Sequence, residues 1–372
     1  MQHVECTMTR FATPTSLQDI TPSWLTEVLH SQGPKIDASV TKYSVEIIGE
    51  GKGFMNQLAR LSIEYNRQSD NLPHSIVAKL PTRDPVLRKV ADLFECDQRE
   101  VRFYQAVAPN SVIQTPHIYY SAIDEVTGDT ILLMEDMSNA RQGDSVAGCS
   151  LTDAKLAIDQ LARFHSSWWQ SPHLDRLEWM PLRDAETSIY QQMYPDAWEL
   201  LVSKAGKGMT RRLQEIGGRV SQDIPRIKTQ LTKPPRTINH GDYRLDNCFL
   251  SATSQAGSLV VFDWEYCSIG RGAYDVATFI NEAFPPNQRR REEMALLSMY
   301  HSLLVEQGIN DYLFEECLQD YRLSMLEIFI FWVVVGGYCD FETERATIYL
   351  HNACERFDAS IYDLNCAEFL ST

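Results

Sequence analysis

The hydrophobic positions change period along the chain. Over residues 16–31 apolar side chains recur at helical spacing, behind Thr21, whose hydroxyl can cap a helix, and Pro22, which suits a first helical turn. Alternation then takes over: Val40, Tyr43, Val45 and Ile47, followed by Ala59, Leu61, Ile63 and Tyr65, predict two strands. Between them GEGKGF, with Gly49, Gly51 and Gly53, predicts a flexible turn. A third strand is expected over 75–80, one long amphipathic helix over 84–106 opened by Pro85, and further strands near 117–121 and 130–135. From residue 152 helical spacing dominates, interrupted by the short apolar segments 248–250 and 259–262. The pattern predicts an α+β chain in two parts. A small antiparallel sheet with one main helix would occupy 1–136, and a larger, mainly helical part 137–372.

Composition narrows the class. A chain of 372 residues is long enough for two domains, and 44% hydrophobic with 23% charged residues excludes global disorder. The net charge of −16 provides no basic footprint for nucleic acid, so no nucleic-acid partner is expected. Nine Lys/Arg against two acids between Lys204 and Arg236 are a local exception, read more simply as a solvated face than as a binding patch. Nine cysteines, an odd number without a C-x-x-C pair, fit neither a disulfide framework nor a zinc ribbon; reduced thiols in a cytoplasmic protein are expected. The N-terminus lacks the apolar stretch of a signal peptide. The longest apolar run, IFIFWVVVGG at 328–337, has ten residues where a span needs about 20, so it predicts a buried helix and no membrane span.

The chemistry concentrates in HGDYRLDN, residues 240–247, and in Asp263 of VVFDWE, sixteen residues beyond Asn247. Phosphoryl transfer explains this spacing. One Asp must orient the attacking hydroxyl and take its proton, while an Asn and a second Asp must hold Mg²⁺ on the nucleotide phosphates. Upstream, Lys79 falls on the third predicted strand and Glu100 on the helix that follows, the arrangement that aims an ammonium at phosphates. Glu95 is the rival acid, but five residues at 100° each leave only one of the two facing Lys79. No P-loop, H-E-x-x-H or G-x-S-x-G pattern occurs.

With LLMEDM at 132–137, LARFHSSWW at 161–169 and VFDWEYCSIGRGAYDVA at 261–277, the chain resembles the aminoglycoside phosphotransferase/choline kinase superfamily over about residues 40–350. The likeness is to its bacterial and ecdysteroid-kinase-like branches. It implies the protein-kinase-like two-lobe fold, with a sheet-rich N-lobe and a helical C-lobe. It further implies an ATP- and Mg²⁺-dependent kinase acting on a hydroxyl of a small molecule. Residue by residue, Asp242 would be the base, Asn247 and Asp263 the metal ligands, and Lys79 with Glu100 the phosphate-aiming pair. Residues 133–137 would form the hinge, with the backbone of Glu135 and Met137 meeting adenine, and Gly51 and Gly53 would cover the phosphates. Arg244 would steady the transferring phosphoryl group.

Departures from the protein-kinase pattern favour a small-molecule alcohol over a peptide. Trp264-Glu265 stands in place of Phe-Gly after the metal Asp, and no A-P-E segment follows. A protein kinase and a nucleotide-binding pseudokinase serving as a regulatory module are the alternatives. The second would ordinarily have lost Asp242, Asn247 or Asp263. His165, His240 and Asp275 are expected to hold structure, Trp168 and Trp169 to pack the core, and Asp246 is left without a role. Glu315, Glu316, Asp320, Glu327, Asp340, Glu342 and Glu344 would suit a cationic acceptor, aminoglycoside or choline-like, or be solvated. The segment 329–338 would equally suit a steroid, macrolide or hydroxyacyl alcohol.

Overall fold

A computed structural model describes residues 11–31, 38–49, 56–67, 72–250 and 258–371. The chain divides into two compact units, 1–109 with 116–139 and 110–115 with 140–372. Gly51 and Gly53, the expected phosphate-covering glycines, lie outside the described residues.

The first unit contains α1 (Pro22–Ser31), β1 (Val40–Ile48), β2 (Asn56–Tyr65), β3 (Ser75–Pro81), α2 (Pro85–Leu93), α3 (Cys96–Ala106), β4 (Ile118–Ile123) and β5 (Thr130–Glu135). Thr21 caps α1 as expected, its hydroxyl accepting the Trp24 N–H at 3.1 Å. The strands form one antiparallel sheet in the order β1-β2-β3-β5-β4. One face buries Ala59, Leu61, Ile76, Ala78, Leu80, Ile131 and Leu133 against Trp24, Leu25 and Val28 of α1. Because side chains alternate along β3, sending Ile76, Ala78 and Leu80 into that core puts Lys79 on the opposite face.

The single helix expected over 84–106 is two helices. Asp84 caps α2, accepting the N–H groups of Val86 and Leu87 at 2.9 and 3.0 Å. The chain then steps through a left-handed residue, Glu95, at φ 50°. That step rephases the helix, so that α3 buries Arg99, Glu100, Phe103 and Tyr104 while Glu95 stays exposed. Both halves are amphipathic, and periodicity alone reads them as one.

The second unit contains β6 (Arg141–Gln142), α4 (Leu151–Trp168), α5 (Thr187–Ala205), α6 (Arg211–Val220), α7 (Ile224–Thr232), β7 (Thr237–Asn239), β8 (Cys248–Leu250), β9 (Leu259–Val261) and β10 (Ser268–Gly270). It continues with α8 (Ala273–Ala283), α9 (Pro286–Glu306), α10 (Phe314–Tyr338) and α11 (Glu344–Asp363). Two small antiparallel sheets, β6-β8-β9 and β7-β10, frame the segment between β7 and β8. α10 is the one described helix long and apolar enough to cross a membrane. It is a core helix here, burying Phe329, Ile330, Val333 and Val334 completely.

The basic stretch 204–236 is engaged within its own unit. Lys204 Nζ donates to the Gly337 and Cys339 carbonyls at 2.6 and 2.7 Å, Arg212 meets Asp358 at 2.6 Å, and Arg226 meets Asp223 at 2.7 Å. Lys228, 1% exposed, shares the buried carboxylate of Glu327 with Arg183, at 2.8 and 2.9 Å. Most of these basic side chains are nonetheless exposed and only Lys228 is buried, so the stretch is largely a solvated face with part of its charge paired internally.

A second buried cluster sets a pH dependence. Asp320 Oδ2 accepts from Arg271 Nη1 at 2.9 Å and from the Tyr312 hydroxyl at 2.8 Å. Burial nevertheless pushes its carboxyl up to about 6. A folded-state value above the unfolded one, about 3.9, means stability present at low pH is lost as the pH rises through 6. Melting temperatures of wild type and Asp320→Asn across that interval should show this slope in the wild type and a reduced one in the variant.

Candidate functional site

The segment 240–247 leaves β7 and returns into β8, and its shape is imposed from α8. The Asp275 carboxylate, wholly buried, accepts the N–H of His240 at 2.7 Å and of Gly241 at 3.0 Å, and contacts His165 Nε2 at 3.2 Å. Burial opposes that negative charge. The hydrogen bond and the nearby imidazole of His165 outweigh it, holding the carboxyl below its usual range. Gly241 has φ 89°, and a Cβ there would sit 2.0 Å from the Tyr266 carbonyl oxygen, so only glycine fits this turn.

His240 joins two loops. Its Nε2–H donates to the Phe262 carbonyl at 2.9 Å, while Nδ1 accepts the Asp242 N–H at 3.2 Å. These partners assign the neutral ring with its proton on Nε2. Trp264 packs against it with the rings tilted, 4.5 Å between centroids. The histidine therefore orients the loop, as expected.

Asp242, Arg244 and Asn247 converge on one oxygen. Asp242 Oδ2 accepts from Arg244 Nε and from Asn247 Nδ2, each at 3.0 Å, and Asn247 Nδ2 also reaches the Asp242 carbonyl at 2.9 Å. Arg244 was expected to face a phosphoryl group; here its Nε is on Asp242. Burial opposes its charge, but the carboxylate of Asp242 keeps its guanidinium firmly protonated.

The same contacts turn the Asn247 Oδ1 away from Asp242. Asn247 is also tied to the next loop, its carbonyl accepting the Phe262 N–H at 3.1 Å. The following residue, Asp263, sits in the left-handed region at φ 69°, where aspartate is among the few non-glycine residues regularly found. Among the described residues no group of three His, Cys, Asp or Glu forms a metal cage. One amide oxygen and one carboxylate do fit Mg²⁺, which is held by one or two protein oxygens together with phosphates and water.

Asp246, unassigned from spacing, is a clasp. Its Oδ1 accepts from Arg345 Nη2 at 2.9 Å and its Oδ2 from the Ser145 N–H at 3.2 Å. Neither partner was identified from the sequence, because each lies about a hundred residues away, at separations of 99 and 101, and no local pattern links them.

In the first unit, Lys79 Nζ meets Glu100 Oε2 at 2.6 Å, with the side chains 8% and 2% exposed. Glu100, not Glu95, is the partner. In the hinge segment the Glu135 N–H already donates to the His117 carbonyl at 2.8 Å. The Glu135 N–H is therefore engaged within the first unit. Met137 follows, half-buried. Between them Asp136, which the sequence reading did not single out, is held by Arg60 Nε at 2.8 Å and Ser75 Oγ at 2.5 Å.

The family model of the ecdysteroid kinase-like family matches residues 50–309. No curated protein matches the chain. Among solved structures, a choline kinase from Cryptosporidium parvum Iowa II is similar at TM-score 0.57, with 13% identity over 93% of this chain and 96% of that one. A Plasmodium vivax ethanolamine kinase is similar at TM-score 0.52, with 14% identity over 90% and 87%. The choline kinase LicA from Streptococcus pneumoniae is similar at TM-score 0.51, with 16% identity over 92% and 97%. At these identities the likeness is one of fold, and the kinase-like α+β architecture expected from the sequence is the one observed.

Proposed function

Since the chain belongs to the ecdysteroid kinase-like family, we propose that it is a Mg²⁺-dependent kinase that moves the γ-phosphoryl group of ATP to a hydroxyl of a small molecule. The observation that carries this reading is the convergence of Asn247 and Arg244 on one oxygen of Asp242. With Oδ2 accepting twice, Oδ1 is the atom left to orient the acceptor hydroxyl and receive its proton. Asn247 Oδ1 and Asp263 would hold Mg²⁺, which when bound neutralises charge on the phosphates. Lys79, fixed by Glu100, would aim its ammonium at nucleotide phosphates. Most of the acceleration would come from positioning and electrostatics.

The acceptor is proposed as an alcohol of small size, on the departures from the peptide-kinase pattern. Neither finer clue survives intact. Glu316, Asp320 and Glu327 are engaged by Arg271, Arg183 and Lys228, which removes them from any cationic acceptor. Much of the apolar segment 329–338 is core. The eight described cysteines are free thiols, which suits a reducing compartment such as the cytoplasm.

The test is transfer of labelled γ-phosphate to a panel of choline-like, aminoglycoside, steroid and hydroxyacyl alcohols, with and without Mg²⁺. A labelled alcohol should form only with Mg²⁺. Lys79→Ala should lower the rate at least roughly tenfold, about 1.4 kcal/mol of lost stabilisation. Failure of every alcohol class to accept label, with MgATP demonstrably bound, would overturn the reading.

A further inference from the structure

Helix α11 begins beyond residues 50–309, so the family match does not reach it. Four of its side chains, Arg345, Tyr349, Asn352 and Arg356, follow the spacing i, i+4, i+7, i+11 and share one face. Every one of them contacts either the segment 240–247 or the turn 143–148. Arg345 reaches Asp246 Oδ1 and Asp144 Oδ2, both at 2.9 Å. The Tyr349 hydroxyl accepts from Arg244 Nη1 at 3.4 Å, and the Arg244 guanidinium lies 5.7 Å from the Tyr349 ring centroid. Asn352 Nδ2 reaches the Val146 carbonyl at 3.5 Å. Arg356 donates to the Ser145 and Glu282 carbonyls at 2.8 and 2.6 Å. Thr343 caps the helix through the Ala346 N–H at 3.2 Å, which fixes the first turn that carries Arg345.

These contacts leave little freedom around the base. Arg244 is a long side chain whose Nε lies on Asp242. Without a second hold its guanidinium could swing and take the carboxylate with it. Tyr349 supplies that hold from the opposite end of the guanidinium. Asp246, filled on both oxygens by Arg345 and Ser145, pins the turn that carries Asn247. We propose that Arg345 and Tyr349 are positioning residues for the transfer step, α11 setting the direction of Asp242 and Asn247 through Arg244 and Asp246. The inference rests on the kinase reading and extends it to a helix outside the matched family segment.

The test pairs kinetics with hydrogen exchange in the full chain. Tyr349→Phe keeps the ring and removes only the hydroxyl. It should lower kcat by roughly tenfold with the KM for MgATP unchanged and the melting temperature preserved. Arg345→Ala should lower kcat similarly and speed exchange of the Ser145 amide, whose acceptor is Asp246. Arg345→Lys, which restores charge without the forked geometry, should recover the melting temperature and only part of the rate. Variants that lose melting temperature alone, with wild-type kcat and unchanged Ser145 exchange, would overturn the proposal. Exchange needs no turnover, so the two failures separate. A wild type that phosphorylates nothing defeats the kinase reading, whereas unchanged exchange in Arg345→Ala defeats the role given to α11.

Discussion

Asp242→Asn should bind MgATP like the wild type and lose transfer by about 10²–10⁴-fold, the usual contribution of a positioned general base. The substitution is chosen for its geometry. An asparagine oxygen at the place of Oδ2 can still accept from Arg244 Nε and Asn247 Nδ2, both at 3.0 Å, so the loop keeps its shape. What disappears is the capacity to take the acceptor's proton. Calorimetric nucleotide affinity beside labelled-product formation checks it. Turnover near the wild-type level would remove Asp242 from the mechanism, and with it the assignment of Oδ1.

Asp275→Ala should be the most destabilising single change near the site, by about 3–5 kcal/mol, the cost of breaking a buried charged contact from one side. It strands the N–H groups of His240 and Gly241 and the ring of His165 in an interior that water does not reach. The pH dependence has a definite sign. Because the folded carboxyl is held below its unfolded value, its stabilisation is present above about pH 4 and is lost as the pH falls through the folded value. Asp275→Asn should keep part of the stability and flatten that acid limb. Urea unfolding of both variants from neutral to acid pH would show this. An alanine variant within about 1 kcal/mol of wild type would mean that the loop is shaped by something other than Asp275.

The contrast between Asp242 and Asp246 shows how far spacing carries. Asp242 and Asn247 are five residues apart, and the proposed chemistry that needs both also needs that interval. Asp246 sits between them with the same side chain as Asp242. Its task became visible only when Arg345 and Ser145 were placed beside it. Arg244 is a similar case, since its charge was legible and its partner was not. The break between α2 and α3 escaped because a left-handed residue such as Glu95 leaves no mark on an amphipathic pattern. The acids of α10 misled in the other direction: Glu327 reads as an exposed acidic position until Arg183 and Lys228 close around it.

Local periodicity and motif order were sufficient for the sheet-then-helix architecture, for Lys79 on the third strand, and for bringing Asp242 and Asn247 into one short segment between strands. Each of these is specified by residues near one another in the chain, where backbone geometry ties spacing to direction. Folding alone decided which oxygen of Asp242 accepts from Arg244 and Asn247, and that α11 grips the segment 240–247. A contact such as Arg345 to Asp246 spans 99 residues, and two side chains that far apart affect each other only after the chain between them has packed.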